Sequence, residues 1–322
     1  MSVDQFIKWS FIAAVAVIDL ILLNFCKIEL QWTDLIVPAV GGTLLLFLSL
    51  YYHRHEGESL VVCMVTLLQV GCFTTAVSLL MYQTTMFNFP LNDHWLQAID
   101  AWFGYSPTRF VNFIRSMPQV DFWLSWAYLF IVPQTMIAIL AVAFSNQRRR
   151  LERFVTQFMV GTFLCTVIAA FWPAASPLYS QGFAPADWQE SFISHFNALR
   201  SGDPFVFSWK KTEGLVTFPS FHTAWAIFLI VVWREHTRWV FLPMAVINVL
   251  IVLSTLTTGA HYLFDVFGGC ALAGGCIWLS ERVSAVSYHA DGAPKLIPWL
   301  SSFYPHFSAP LSPASARSSV RR

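Results

Sequence analysis

The sequence predicts an all-α fold, a multi-span membrane bundle of about eight transmembrane helices. Three observations predict it. Of the 322 residues, 56% are hydrophobic and only 11% charged, with 30 Phe and 14 Trp, which is too apolar for a chain soluble as one globular domain. Eight apolar runs approach the roughly twenty residues that a helix needs to cross a bilayer. Lys and Arg fall unevenly on the two sides of those runs, as the positive-inside rule expects.

Taken in order, the runs are 7–26, 34–52, 60–82, 122–144, 154–172, 221–235, 238–256 and 262–280. The first continues to about Cys26 without a small-residue cleavage site, so it reads as a retained signal anchor. Asp19 inside it is accounted for by an internal hydrogen bond between helices, with an ion path as the alternative. His53 and His55 flank Arg54 in an inner loop and read as solvated. Residues 83–121 form a long outer loop, in which Trp95, Ile99, Trp102 and Phe103 recur at helical spacing opposite Asp93 and Asp100. That pattern predicts an amphipathic helix, lying in the headgroup layer or covering the top of the bundle. Residues 173–218 make a second outer loop with no clear element of its own, and its length suggests a lid. The sixth run is short, which is tolerable where its outer end is buried in protein rather than lipid. Gly268-Gly269 and Gly274-Gly275 in the last run predict close helix packing. From about residue 289 the tail lacks periodicity and reads as disordered. The resulting division is 1–82 for N-terminal membrane helices, 83–288 for a catalytic membrane domain and 289–322 for a cytoplasmic tail.

With both termini cytoplasmic, the inner segments hold 13 Lys and Arg and the outer loops six: Lys27, Arg109, Arg115, Arg200, Lys210 and Lys211. The net charge of +1 offers no basic face for a nucleic acid. The six cysteines, at positions 26, 63, 72, 165, 270 and 276, sit in or beside apolar runs and act as small hydrophobes. No Cys/His spacing or carboxylate cluster suggests a metal, and no cofactor is implied.

The chemistry concentrates in two stretches, Pro219-Ser220-Phe221-His222 and Gly259-Ala260-His261-Tyr262-Leu263-Phe264-Asp265. Each histidine stands where a polar outer loop becomes an apolar run, and ionisable groups at membrane depth are costly to place there for packing alone. His261 and Asp265 are four apart, on one face of a helix, where the carboxylate can fix the imidazole tautomer and leave the other nitrogen free as a nucleophile. Pro219-Ser220 reads as a helix start, whose open N–H groups suit a phosphate. Two spans separate the motifs, so both histidines fall on the non-cytoplasmic side.

Pro-Ser-x-His followed by Gly-x-His-Tyr-x-x-Asp-Val resembles the second and third signature motifs of the type 2 phosphatidic-acid phosphatase superfamily, which includes the vanadium haloperoxidases. The resemblance implies a phosphatidic-acid-phosphatase-like core in which His261 attacks phosphorus, Asp265 orients it and His222 protonates the leaving oxygen. Two departures stand out: Thr255, next to Ser254, replaces the usual arginine, and Phe221 replaces the commonest glycine. Both resemble the branch of the inositol phosphorylceramide synthases, or aureobasidin-resistance proteins, as does Leu199-Arg200 upstream. The first motif has no clean counterpart.

Around the histidines, Arg200, Ser220, Phe221 and Lys211 are the candidate substrate-binding residues. Each has a plainer alternative: Arg200 as a headgroup anchor, Ser220 as a helix cap, Lys211 as an interfacial cation. The expected function is a metal-independent lipid-phosphate phosphatase or phosphotransferase, working through a phosphohistidine, with a lipid phosphate and the bilayer as its partners. A head-group transferase is the alternative, and a non-enzymatic lipid carrier a further one. The expected location is a bacterial inner membrane, with the site facing the periplasm.

Overall fold

The computed structural model describes residues 3–55, 57–183 and 187–290, except for the side chains of 187–188 and 284–290. The tail expected to be disordered lies outside the described residues. The described residues are mostly helical: α1 (Val3–Leu22), α2 (Ile36–His53), α3 (Glu58–Thr85), α4 (Asp93–Trp102), α5 (Pro107–Arg115), α6 (Pro118–Phe144), α7 (Arg148–Phe171), α8 (Pro177–Ser180), α9 (Asp187–Arg200), α10 (Phe221–Trp233), α11 (Arg238–Thr257) and α12 (Leu263–Ala290).

Among the described residues, seven helices are long and apolar enough to cross a membrane: α1, α2 with the 3₁₀ turn before it, α3, α6, α7, α11 and α12. The eighth, α10, has 13 residues. At 1.5 Å per residue it spans about 20 Å, short of the roughly 30 Å hydrocarbon layer. It survives because α6, α7, α11 and α12 surround it, so its ends meet protein. The periphery is the reverse: α2 packs chiefly on α3, buries Ser49 alone and turns Val37, Val40, Leu44 and Phe47 outward. Outside water, such a face has lipid as its natural neighbour.

The core lies where α3, α6, α7 and α10 meet, around Phe73, Ile139, Phe154, Met159 and Phe228. Close approach of α7 and α10 depends on Gly161, since a Cβ there would come within 2.9 Å of the Phe228 ring. Asp19 is buried in α1, and the bond that ties it to α3 runs from Gln83 Nε2 to its main-chain oxygen, at 3.0 Å, rather than to its carboxylate.

The segment 173–218, expected to have no clear element of its own, holds more structure than the sequence suggested. Ile193, Phe196 and Leu199 make a buried stripe at three-residue spacing along α9, and Phe196 and Leu199 pack in one cluster with Leu79 and Tyr82 of α3. Beyond α9, β2 (Phe205–Phe207) pairs in parallel with β1 (Ile28–Leu30), Ile28 opposite Phe205 and Leu30 opposite Phe207. This clip fastens the segment after α9 to the α1–α2 connection. Tyr82 Oη and His195 Nδ1, 2.8 Å apart, add a polar tie between α3 and α9.

Overpacking a close helix contact typically costs about 1–3 kcal/mol. Gly161→Val is therefore expected to lower the thermal midpoint in detergent by several degrees, whereas Gly71→Ala, with open space at its Cβ position, should leave it unchanged. Equal midpoints for the two would contradict the packing described.

Candidate functional site

Pro219 ends the preceding loop, and Ser220, in an extended conformation, starts α10 by accepting a hydrogen bond from the Thr223 amide at 3.4 Å. The Thr223 hydroxyl donates to the same Ser220 oxygen at 3.1 Å. A side-chain acceptor at this position satisfies first-turn amides that would otherwise be bare. His222 therefore stands on the first turn, where its ring stacks on Tyr128 of α6, with centroids 4.4 Å apart and planes 21° apart.

His261 comes from the turn between α11 and α12. Gly259 shapes that turn at φ +71°, and its missing Cβ leaves room for Leu178, whose Cδ1 would otherwise lie 2.3 Å away. Where the sequence predicts His261 and Asp265 on one helix, His261 precedes α12 and only Asp265 lies within it, on the first turn. The pair still meets: Asp265 Oδ2 lies 3.3 Å from His261 Nδ1 and accepts the Tyr262 amide at 2.8 Å. The stronger partner of the imidazole is the Thr217 carbonyl, 2.8 Å from Nδ1. A carbonyl can only accept, so Nδ1 carries the proton and Nε2 keeps its lone pair. The two histidine rings face each other at 6.5 Å between centroids and 62° between planes.

Neighbouring backbone is held tightly to this point. The Ser220 amide donates to the Asp265 carbonyl at 3.0 Å, and Cys165 Sγ donates to the Pro219 carbonyl at 3.1 Å. Phe218 and Phe264 stack with planes 3° apart. Gly268 and Gly269 let α12 approach both the motif loop and α10: Cβ atoms there would meet Phe218 at 2.7 Å, the Ser220 carbonyl at 2.4 Å and Thr223 Cβ of α10 at 2.8 Å.

Two carboxylates that sequence reasoning placed only on the polar side of an amphipathic helix prove central. Asp100 is wholly buried and accepts the Leu263 and Phe264 amides at 2.9 and 3.0 Å, so it caps α12 from another helix. Burial pushes its carboxyl above the ordinary value, with both amides pulling the other way. Asp93 accepts the Ala175 and Ser176 amides and the Tyr262 hydroxyl, the last at 2.9 Å. The aromatic side of α4 faces outward, with Trp102 81% exposed. The signal available in the sequence was the stripe Asp93, Leu96 and Asp100, one face of a helix two turns long, with an apolar residue between two acids.

The remaining candidates divide. Arg200 ends α9, donates from Nη2 to the Phe89 carbonyl at 2.8 Å and lies 5.3 Å from the Phe196 ring centroid. It lines a small cleft together with Thr84, Asn88, Thr166 and Thr217, the residue whose carbonyl holds His261. Ser220 is fully buried as a cap. The Phe221 ring turns toward α7, packing on Phe158 with centroids 5.7 Å apart, so its place is in the helix interface. Lys211 is exposed on the turn Trp209–Lys211, beside Lys210, which pairs with Asp34 at 3.5 Å; it is not gathered with the histidines. Ser254 and Thr255 are buried in α11 with their hydroxyls bonded to Ile251 and Val252 carbonyls, so Thr255 brings no cation to replace the usual arginine. Among the described residues, no three His, Cys, Asp or Glu side chains gather as metal ligands.

Asp100→Asn exchanges one accepting oxygen for an amide donor facing two backbone donors. Unpaired buried donors cost about 1–3 kcal/mol each. The variant is expected to lose thermal stability in detergent and to gain hydrogen exchange at residues 262–266; unchanged exchange there would contradict the capping role.

No curated protein and no solved structure matches the chain. The family model described as the PAP2 superfamily matches residues 94–279, which takes in α4 through most of α12 and both histidines. On that match, covering more than half of its length, the chain belongs to the PAP2 superfamily, an integral membrane member with phosphatase-type chemistry toward lipid phosphates as its general function.

Proposed function

We propose that the protein is a membrane lipid-phosphate phosphatase or phosphotransferase that works through a phosphohistidine on the non-cytoplasmic side. The observation that carries this reading is His261: a donated Nδ1–H, an Nε2 with its lone pair free, and a second imidazole 6.5 Å away. In the first step a bond forms between Nε2 of His261 and phosphorus as the bond from phosphorus to the lipid oxygen breaks. His222 gives its proton to that departing oxygen, releasing the lipid alcohol. In the second step a water or an alcohol attacks phosphorus, its proton passes to His222, and the electron pair of the N–P bond returns to Nε2. Asp265 and the Thr217 carbonyl keep the proton on Nδ1 and stabilise the positive ring that forms in between. First-turn amides of α10 and the Arg200 guanidinium supply positive charge around the equatorial oxygens.

Transfer to a lipid or polyol hydroxyl instead of water is the second reading. Its support is the polar lining of the small cleft beside Thr217, which includes Arg200, Asn88 and the threonines 84 and 166. Orientation rests on charge: Arg148, Arg149, Arg150, Arg153, Arg234 and Arg238 lie at the end of the bundle away from the histidines, which is the end the positive-inside rule puts in the cytoplasm.

With purified protein and a labelled lipid phosphate, His261→Ala is expected to lower kcat/KM at least about a thousandfold. Retained turnover, or retained lipid transport with no turnover in the parent, would favour a carrier and contradict the proposal. His222→Ala should cost more for poor leaving groups than for good ones, since acid assistance matters most for a basic alkoxide. Activity should survive EDTA; a loss reversed by magnesium would overturn the metal-free route.

A further inference from the structure

A second polar cluster lies at the far end of α10, about 20 Å from His222 along the helix. There the connection from α10 to α11 meets the start of α7. Arg150 Nη2 lies 2.5 Å from His236 Nδ1, and Arg150 Nη1 also bonds the Gln147 side chain. A guanidinium can only donate, so His236 Nδ1 is the acceptor and the ring proton sits on Nε2. Burial and the nearby Arg150 charge hold this imidazole below its ordinary value.

The His236 Nε2–H is buried without an acceptor, and so are the Arg150 Nε–H, the Arg153 Nε–H and the Trp233 Nε1–H. Arg150 is 8% exposed and Trp233 2%. Three of these groups adjoin one another, with the Trp233 ring 4.9 Å from the His236 ring and Arg150 bonded to His236, and Arg153 follows Arg150 by three residues on α7, on the same side of that helix. They cannot satisfy each other, because all four are donors. Each buried donor without an acceptor is costly, and one multivalent acceptor would relieve several together.

The surroundings favour negative charge. Arg148, Arg149, Arg234 and Arg238 flank the cluster, against Glu152, which pairs with Arg148, and Glu235. Neither Gln147 nor Thr237 caps its helix through its side chain, so the positive ends of α7 and α11 both open here. Arg238 over Trp239, at 5.0 Å, and Arg282 over Trp278, at 4.6 Å, mark the same end as headgroup level, where such aromatic and cationic pairs gather.

We propose that Arg150, Arg153, Trp233 and His236 form an anion site for a phosphate group, separate from the histidine pair and at the opposite end of the bundle. A phosphate offers several acceptor oxygens to diverging donors, and it can come from an anionic lipid of the adjacent leaflet or from free phosphate. The site does not depend on the reaction proposed above.

The test titrates the full-length protein in detergent with phosphatidylglycerol or phosphatidylcholine, counts bound lipid by native mass spectrometry, and repeats the titration with millimolar inorganic phosphate. Phosphatidylglycerol is expected to bind in preference to phosphatidylcholine. Arg153→Gln should weaken that binding about tenfold, the loss of one charge-assisted hydrogen bond. Arg150→Gln should do the same where it folds, and Arg153, only half-buried, decides the matter where it does not. Displacement of the lipid by inorganic phosphate would support the site and identify a free anion as its occupant; no displacement would support the headgroup. Exposed Arg149→Gln is the control. A loss as large for Arg149→Gln as for Arg153→Gln would reduce the effect to general attraction and overturn the proposal, as would equal binding of the two lipids.

Discussion

A helix that begins inside a protein at membrane depth must find acceptors for its first amides, and this requirement at the start of α12 organises the site. Asp265 reaches back to the Tyr262 amide, while Asp100, from a helix outside the membrane-crossing set, takes the Leu263 and Phe264 amides. Between them the two carboxylates fix the backbone that carries His261. The imidazole then has little freedom, because Nδ1 is held by Thr217 on one side and approached by Asp265 on the other. Asp265 thus serves a backbone amide and an imidazole with one oxygen, which makes local helix geometry and site chemistry inseparable.

The same economy explains the loop 217–220. It lies against the backbone of α12 because two glycines remove the side chains that would hold it off, and its Ser220 both caps α10 and donates its amide to Asp265. Two histidines far apart in sequence are therefore positioned by one continuous piece of hydrogen-bonded backbone. The short α10 belongs to this arrangement: sealed by four helices, it can begin below the membrane surface at its His222 end without exposing polar backbone to lipid.

Much of this was legible in the sequence. Hydropathy located the long helices, and the two motifs located both histidines and Asp265, because apolar length and motif spacing are local properties of the chain. Other features depend on partners distant in sequence. The inward face of α4 could be read as a polar face turned to water until its targets, the amides of Leu263 and Phe264, were in place. The parallel clip of β1 and β2 joins residues 28–30 to 205–207, a pairing that no local pattern announces. Phe221 sits inside a motif yet packs against Phe158, since a motif position fixes where a residue stands and not which way its ring turns. The glycine pair 268–269 was rightly expected to allow close packing, on α10 as well as on the motif loop, whereas Gly274 and Gly275, expected to do the same, have open space at their Cβ positions.

The central claim is that a nitrogen of His261 carries the phosphoryl group. Rapid quench of the protein with a lipid labelled at phosphorus, followed by digestion and peptide mapping, tests it most directly. The account predicts an acid-labile, base-stable label on the peptide that contains His261, formed within the first turnover and absent from the Asp265-intact His261→Ala variant. A label on the His222 peptide, or product formation with no labelled histidine at any time, would contradict it.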